Sequence, residues 1–206
     1  MSLNVDKTKE MVICNTKNGH QLPVLTLSDQ PVERVDSFKL LGVCISDNLS
    51  WKDHVAKTVK KASKRLYFLC VLKRAGLEPS ELLKVYVAMI RSVLEYGCEI
   101  WHPGLTKQSK DELEHVQERA LRIAFPNLSY IDALSVWGLS DLVTRRESLC
   151  KSFHTKIIDN NHVLHKYLPE KKSCEYNLRS FPHFHLPKVK TDRAKNSPIF
   201  YGLFHF

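Results

Sequence analysis

The sequence predicts an α+β fold that is mainly α: a small N-terminal antiparallel sheet of three to four strands, a bundle of about five helices, and an extended basic tail. Short β-type runs alternate with turn residues over positions 1–50. Apolar residues recur at helical spacing over positions 51–159, and four prolines interrupt every pattern over positions 160–206. These three stretches are the predicted domains, and we expect the last to be partly disordered.

The predicted strands are short β-type runs at residues 11–14, 22–27, 32–35 and 38–45. Asn18-Gly19 between the first two is a strong turn signal. The last run is read as one strand, in which Gly42 marks a bulge or the close approach of another backbone. A sheet this small cannot bury both of its faces, so we expect a helix to cover it or one face to await a neighbour.

The clearest predicted helix covers residues 51–75. Ser50 and Asp53 have the spacing of a capping box at its start, and Gly76 suits its end. Its apolar residues repeat at steps of four and three, which makes one buried stripe. The stripe consists of Val55, Val59, Ala62, Leu66 and Leu69.

The opposite side of this helix is strongly basic. Eight Lys or Arg residues stand between Trp51 and Ala75, against Asp53 alone. Like charges one helical turn apart repel by about 0.2–0.5 kcal/mol per pair, so such a face is unfavourable without an anionic partner. The pattern favours contact with phosphate groups, and a solvated face is the alternative. The candidate nucleic-acid-binding residues are Lys57, Lys60, Lys61, Lys64 and Arg65.

Four further helices are predicted from apolar spacing and from residues that start or stop helices. The widest apolar stripe lies in the first of these four, which starts at Pro79 and is the second helix of the chain, so we expect that helix to be the most buried. The predicted starts are Pro79, Ser109, Ser129 and Ser140, and the predicted stops or bends are Gly97, Pro126 and Gly138.

Composition narrows the class of partner and the compartment. The 206 residues carry 31 Lys or Arg against 22 acids, a net charge of +9, which favours polyanions. No apolar run reaches the roughly 20 residues needed to span a bilayer, and the polar N-terminus does not read as a signal peptide. Six scattered cysteines indicate a reduced, intracellular setting, cytoplasmic or nuclear, rather than a secreted one. The oligomeric state stays open.

Signals for metal or nucleophilic sites are weak. His162, His165, His183, His185 and Cys174 could imitate a zinc cluster, but histidine pairs in a polar tail are more often solvated. The seven glycines are scattered and form no phosphate loop. The proximity needed for a Ser-His-Asp triad cannot be inferred from spacing. We therefore predict no metal or other cofactor.

Several short motifs carry a family resemblance. They are Asn4-x-x-Lys7-Thr8; Phe38-Lys-Leu-Leu-Gly-Val43 with Leu49-Ser-Trp51 and His54; Leu94-Glu-Tyr-Gly97 with Trp101-His-Pro103 and Leu113-Glu-x-Val-Gln-x-x-Ala-x-Arg122; and Thr191-x-Arg193-x-Lys-Asn-Ser197. Together they resemble the region that follows the catalytic centre in LINE-type (non-LTR) retrotransposon reverse transcriptases, and they span nearly the whole chain.

The resemblance implies that residues 1–50 end the palm and form the primer grip, through Phe38, Leu41 and Gly42. It implies that residues 51–159 form a helical thumb on the backbone of an RNA/DNA duplex. Lys7 matches a family lysine near the phosphates of the incoming nucleotide, and a surface lysine is the alternative there.

Polymerisation needs paired Asp carboxylates that hold two Mg²⁺ ions about 4 Å apart. The family places that Asp-Asp hairpin upstream of the segment matched by Lys7, and this sequence contains no Asp-Asp pair. The resemblance therefore implies no catalytic residue here and no polymerisation by this chain alone. Mg²⁺ is expected only for the complete polymerase, whose remainder is an implied partner.

Two other interpretations remain open. The chain could be an inactive, decayed remnant of a transposable element, in which the sheet lacks its neighbour. It could instead be a protein-interaction module that uses Tyr86, Trp101 and Trp137, although these aromatic residues also fit a hydrophobic core.

Overall fold

A computed structural model describes residues 4–14, 22–171, 184–186 and 188–206. The chain divides into two units, Met1–Lys57 and Thr58–Phe206. Strands occur in the first unit and helices dominate the second, which confirms the predicted α+β, mainly α class. The division falls inside the first long helix, after Lys57.

Over residues 4–14 and 22–57, the strands of the first unit form three separate two-stranded ribbons rather than one antiparallel sheet. Strands β2 and β3 pair antiparallel, as do β5 and β6, whereas β1 and β4 pair parallel. The single sheet of three to four strands was therefore the wrong arrangement. The strands are β1 Lys9–Glu10, β2 Thr26–Leu27, β3 Gln30–Pro31, β4 Glu33–Arg34, β5 Ser37–Leu40 and β6 Val43–Ser46.

The apolar run at residues 38–45 is a hairpin and not one bulged strand. Leu40 pairs with Val43, so Leu41 and Gly42 alone make the turn between β5 and β6. Both have positive φ, 47° and 91°, as a two-residue type I′ turn requires. Gly42 therefore reverses the chain where we had expected a bulge. Residues 11–14 form no strand, and the Asn18-Gly19 turn lies outside the described residues.

Helix α1, Lys52–Arg74, confirms the clearest prediction. Ser50 Oγ accepts the Lys52 N–H at 3.3 Å, while the Asp53 carboxylate accepts from Ser46 Oγ at 3.4 Å. Asp53 thus faces β6 instead of closing the predicted capping box. At the other end Gly76 has φ 88°, and its N–H donates to the carbonyl of Lys73, a pattern typical of a helix C-terminus.

The second predicted helix is built from α2 (Pro79–Val85), a π-helical turn (Tyr86–Arg91) and α3 (Ser92–Glu95). Its most buried residues are Leu82, Tyr86, Ile90 and Leu94. Steps of four drift by about 40° each around a regular α-helix. The wider π turn absorbs part of that drift and keeps the row facing the core. Gly97, with φ 61°, then breaks the helix before α4, Cys98–Trp101.

Three further helices follow, α5 (Lys107–Ala124), α6 (Tyr130–Val136) and α7 (Leu142–Ile158). Ser129 caps α6 by accepting the Asp132 N–H, as predicted. The caps of the other two were misplaced. Thr106 caps α5 through the Ser109 N–H, and Asp141 caps α7 through the Thr144 N–H at 2.8 Å. Capping residues cluster before helices, so neighbouring candidates compete for the role.

The described part of the predicted extended tail contains two α-helices, α8 (Asp192–Lys195) and α9 (Pro198–His205). Helix α9 packs on α7 and α4. Gly202 permits this approach, because a Cβ there would overlap the buried ring of His154. The expectation of an extended tail is wrong for these residues. The predicted tail also includes residues 172–183, which lie outside the described ranges.

Candidate nucleic-acid interface

Three lysines of α1 form an exposed basic surface in the second unit. Lys60, Lys61 and Lys64 are all exposed, and we call them the lysine face. The helix is held from its other side, where Ala62, Leu66 and Leu69 are at most 2% exposed. The apolar stripe and the basic face thus lie on different sides of one helix, as the spacing predicted.

The lysine face has no acidic counterpart in the described parts of the chain. Within the described residues, every ion pair of the second unit joins other helical segments, and none includes Lys60, Lys61 or Lys64. Repulsion between neighbours such as Lys60 and Lys64 costs about 0.2–0.5 kcal/mol per pair. The face is therefore a fixed positive charge that an anion would neutralise.

Lys57 is engaged within the first unit. Its Nζ donates to Cys44 Sγ at 3.0 Å. This hydrogen bond is the main cause that raises the Lys57 pKa, and the charge of Asp53 adds to it. The side chain is still exposed, but it contacts β6, unlike the three lysines that follow it.

Arg65 follows Lys61 by one helical turn, but its side chain is engaged within the helical unit. It is only half-exposed, and its Nη1 donates to the backbone carbonyl of Met89. Near the end of α1, Lys73 Nζ similarly donates to the carbonyl of Ile123 at 2.5 Å. These two basic side chains thus connect α1 to later segments of the helical unit. Sequence reasoning grouped Arg65 with the lysines because spacing alone does not reveal such a contact.

The β5–β6 hairpin places two of the predicted primer-grip residues, Leu41 and Gly42, at its turn, whereas Phe38 pairs with Ile45 towards the open end. Leu41 is 85% exposed at the turn beside Gly42, and Phe38 is 41% exposed within β5. A positive φ costs a non-glycine residue about 1–2 kcal/mol. A branched apolar residue held in that conformation, with its side chain in solvent, is the kind of local strain that accumulates at functional sites.

Lys7 lies in a local turn at the start of the first unit. Asn4 Oδ1 accepts the Lys7 N–H at 3.2 Å, and the Thr8 hydroxyl donates to the Asn4 carbonyl at 2.8 Å. These bonds explain why Asn, Lys and Thr occur at this spacing. They fix the backbone and leave the Lys7 side chain exposed.

Sequence reasoning missed a buried polar network in the helical unit. Tyr86 OH donates to Gln117 Oε1 at 2.5 Å, and Gln117 Nε2 donates to Tyr130 OH at 2.8 Å. Tyr130 OH in turn donates to Glu114, whose carboxylate also accepts the Leu142 N–H at the start of α7, at 2.9 Å. Burial raises the pKa of Glu114.

A second part of this interior centres on Arg146, which is fully buried. Its Nε donates to His102 Nδ1 at 3.2 Å, and its guanidinium lies 5.7 Å from the Trp101 ring centroid. Burial, with the charge of Arg146, lowers the pKa of His102 to about 3. The sequence contained one signal for these buried polar residues: a polar residue within an apolar stripe, as Gln117 is beside Val116 and Ala120.

The aromatic residues considered for protein contact belong mostly to the core. Tyr86 and Trp101 are 1% and 0% exposed, so the partner-binding interpretation is wrong for them. Trp137 stacks on Phe125 with ring centroids 4.7 Å apart.

The described part of the chain holds no group of three His, Cys, Asp or Glu residues placed to bind a metal ion. His162 Nδ1 accepts the Leu164 N–H, and His165 Nδ1 lies 3.1 Å from the Ile157 carbonyl. Cys174 and His183 lie outside the described residues. The acidic residues in the part of the chain that the structure describes thus do not fit a pair of Mg²⁺ ions. Among the described helices, none has the length and apolar character needed to cross a membrane.

Comparison with known proteins gives two partial similarities. The family model described as "Alkylated DNA repair protein alkB homolog 8, N-terminal" matches residues 51–92, which run from the start of α1 to α3. A "Probable RNA-directed DNA polymerase from transposon X-element" of Drosophila melanogaster is 23% identical over 124 residues, 59% of this chain. The aligned region is only 14% of that polymerase. No solved structure matches the chain.

These similarities differ in what they support. The family match covers about a fifth of the chain and assigns no family. The longer alignment makes the chain partly similar to a transposon RNA-directed DNA polymerase, which agrees with the motifs that resemble reverse transcriptases. The chain spans a small share of that relative's length, so the relative's whole activity does not transfer with the similarity.

Proposed function

We propose that this chain is a C-terminal part of a LINE-type retrotransposon reverse transcriptase that binds the sugar-phosphate backbone of a template-primer nucleic acid. In this proposal α1 acts as the thumb helix, and the catalytic aspartates with their Mg²⁺ ions belong to another part of the polymerase. The chain alone binds nucleic acid and does not polymerise.

The observation that carries the proposal is the lysine face. Lys60 and Lys61 are consecutive, Lys64 follows one helical turn later, and all three are exposed with no acidic partner among the described residues. A row of fixed ammonium groups on a rigid helix suits phosphates, because each contact releases condensed counterions from the nucleic acid. The partial similarity to a transposon polymerase supports the same class of ligand.

The hairpin supplies a second, smaller element. Leu41 projects from a tight turn, where it can contact a sugar or base at a primer end. Phe38 and Gly42 then position the turn, through the β5 strand and the type I′ geometry respectively.

Salt-dependent binding tests the proposal. We expect the full chain to bind a labelled RNA/DNA duplex with a steep loss of affinity between 50 and 200 mM salt. The variant Lys60→Ala/Lys61→Ala/Lys64→Ala should lower the slope of log K against log salt by about 2 to 3, because each phosphate contact contributes about 0.9. Fluorescence anisotropy titrations at several salt concentrations measure both quantities.

A matched control separates the lysine face from net charge. Lys84, Lys107 and Lys151 are exposed lysines on α2, α5 and α7. The variant Lys84→Ala/Lys107→Ala/Lys151→Ala removes the same three charges, and we expect it to keep most of the slope. Equal effects of the two variants, or no salt-dependent binding by the unaltered chain, would contradict the proposal.

One observation favours the alternative of an inactive remnant. In the segment that leads into β2, Leu22, Val24 and Leu25 are about half exposed, as is expected where a neighbouring element is missing. If the chain folds and yet binds no nucleic acid at low salt, the remnant becomes the better account.

A further inference from the structure

The exposed side of α1 continues beyond the lysine face with two aromatic residues. Tyr67 is 65% exposed and Phe68 is 55% exposed. Their ring centroids lie 6.1 Å apart at an interplanar angle of 69°, so the two rings meet edge to face. Large aromatic side chains are normally used to cover core or interface, and an uncovered adjacent pair on a rigid helix indicates a contact surface.

Helical geometry joins this aromatic pair to the lysines. Tyr67 and Phe68 follow Lys64 by three and four residues, which places them on the same face, one turn further along. Val71, 40% exposed, continues the row by the same spacing. The surface from Lys60 to Val71 is about 16 Å long at 1.5 Å per residue. Leu66 and Leu69, which are buried, lie on the other side.

The basic and aromatic residues follow one another along this surface, and this arrangement restricts which ligands can bind it. A basic half suits phosphates, and an aromatic half suits flat apolar groups that stack. Unpaired nucleotides offer both, since a base can swing out from the backbone that the lysines hold. A continuous duplex offers only the first, because its bases are stacked on one another. An apolar protein partner would leave the three ammonium groups of the lysine face without an anion.

We infer that Tyr67 and Phe68 form a stacking platform for unpaired bases, so that α1 binds nucleic acid with a single-stranded segment next to its backbone contacts. This inference rests on the proposed function and specifies its ligand. The ligand class is a single strand or a junction between duplex and single strand, and blunt duplex is bound only through its phosphates.

The test uses the full chain and four fluorescein-labelled probes of equal phosphate number. They are a single-stranded oligonucleotide, the same strand with abasic sites, a blunt duplex, and a duplex with an overhang. The variant Tyr67→Leu/Phe68→Leu keeps apolar area and removes the rings. Since both positions are exposed, we expect the fold to persist, as circular dichroism checks. Tyr67→Trp/Phe68→Trp restores rings, and Tyr167→Leu, at another exposed tyrosine, is the control.

We expect the leucine variant to bind the intact single strand and the overhang at least tenfold more weakly than the unaltered chain. Its affinity for the abasic strand and the blunt duplex should stay within twofold, and its salt slope should not change. The tryptophan variant should bind like the unaltered chain, and so should the control. The alanine variant of the lysine face should weaken binding to all four probes.

Three results would overturn the inference. In the first, the leucine variant binds the intact strand as tightly as the unaltered chain, and binding still depends on salt and on the lysine face. The proposed function would then stand without this inference. Another is an equal loss on abasic and intact strands. A third is a leucine variant that abolishes self-association in sedimentation velocity without altering any probe, which would assign the pair to contact between copies. Absence of binding to every probe would defeat both proposals together.

Discussion

Among the described residues, Thr58–Phe206 buries twenty apolar side chains, whereas Met1–Lys57 buries four: Val32, Val43, Cys44 and Val55. The helical unit lays rows of apolar residues from successive helices against each other. The strand unit has ribbons of only two to four residue pairs, and several of its leucines face solvent. A two-stranded ribbon is marginally stable in water by itself. The difference shows that the helical unit is stabilised by its own buried core, whereas the strand unit depends more on local turns and surface ion pairs.

Ion pairs illustrate the second kind of support. In the parallel ribbon, Lys9 pairs with Glu33 and Arg34 pairs with Glu10, the latter at 3.0 Å. The guanidinium of Arg34 also donates to the carbonyls of Leu22 and Pro23. Exposed pairs of this kind are typically worth less than about 1 kcal/mol each, so they organise the ribbon more than they stabilise it.

The largest expected effect is the loss of stability when a core leucine of the helical unit is truncated, compared with an exposed leucine of the strand unit. Leu113 is 0% exposed on α5, so Leu113→Ala should lower the free energy of unfolding by about 2–5 kcal/mol through lost burial and a cavity. Leu40, 52% exposed on β5, is the matched control, and Leu40→Ala should cost under about 0.5 kcal/mol. Urea denaturation followed by helical circular dichroism measures both. Similar losses would break the comparison.

A second prediction concerns pH and the helical interior. His102 has a pKa of about 3 when folded and an ordinary value of 6.5 when unfolded. Between these values the unfolded chain binds one more proton, so this group lowers stability as pH falls, by about 1.4 kcal/mol per pH unit. Above pH 6.5 its contribution is constant.

The variant His102→Gln isolates that contribution. We expect the slope of unfolding free energy against pH, measured between pH 4.5 and 6, to fall by about 1.4 kcal/mol per unit. The slope is the readout, since the substitution can also change stability at every pH. An unchanged slope would mean that His102 is protonated inside the fold, contrary to its position against the Arg146 guanidinium.

The smallest expected effect lies in the hairpin of the strand unit. Leu41→Asn would place Asn-Gly in a turn whose two residues both have positive φ, the preferred pair for that geometry. We expect the hairpin to gain about 1 kcal/mol by relief of strain. Slower hydrogen exchange at β5 and β6 amides would report it, with Leu40→Asn, at a neighbouring paired position, giving no such gain. Faster exchange in Leu41→Asn would show that Leu41 stabilises the turn through its side chain.

The sequence alone determined the class of fold, the long helix α1 and its two sides. These features depend on period and on local chemistry: steps of three and four, a glycine after the last turn, and a serine before α6. Each of these signals involves only a few neighbouring residues. The same local logic predicted that Lys60, Lys61 and Lys64 would share an exposed face.

Only the tertiary structure decided which polar side chains turn inward and which basic groups are already engaged. Arg65 and Lys73 donate to carbonyls 24 and 50 residues away, and Glu114 caps a helix that begins 28 residues later. Strand pairing has the same character, because the parallel ribbon joins residues 24 apart. Contacts between distant parts of a chain leave no periodic trace in it, so only packing could establish them.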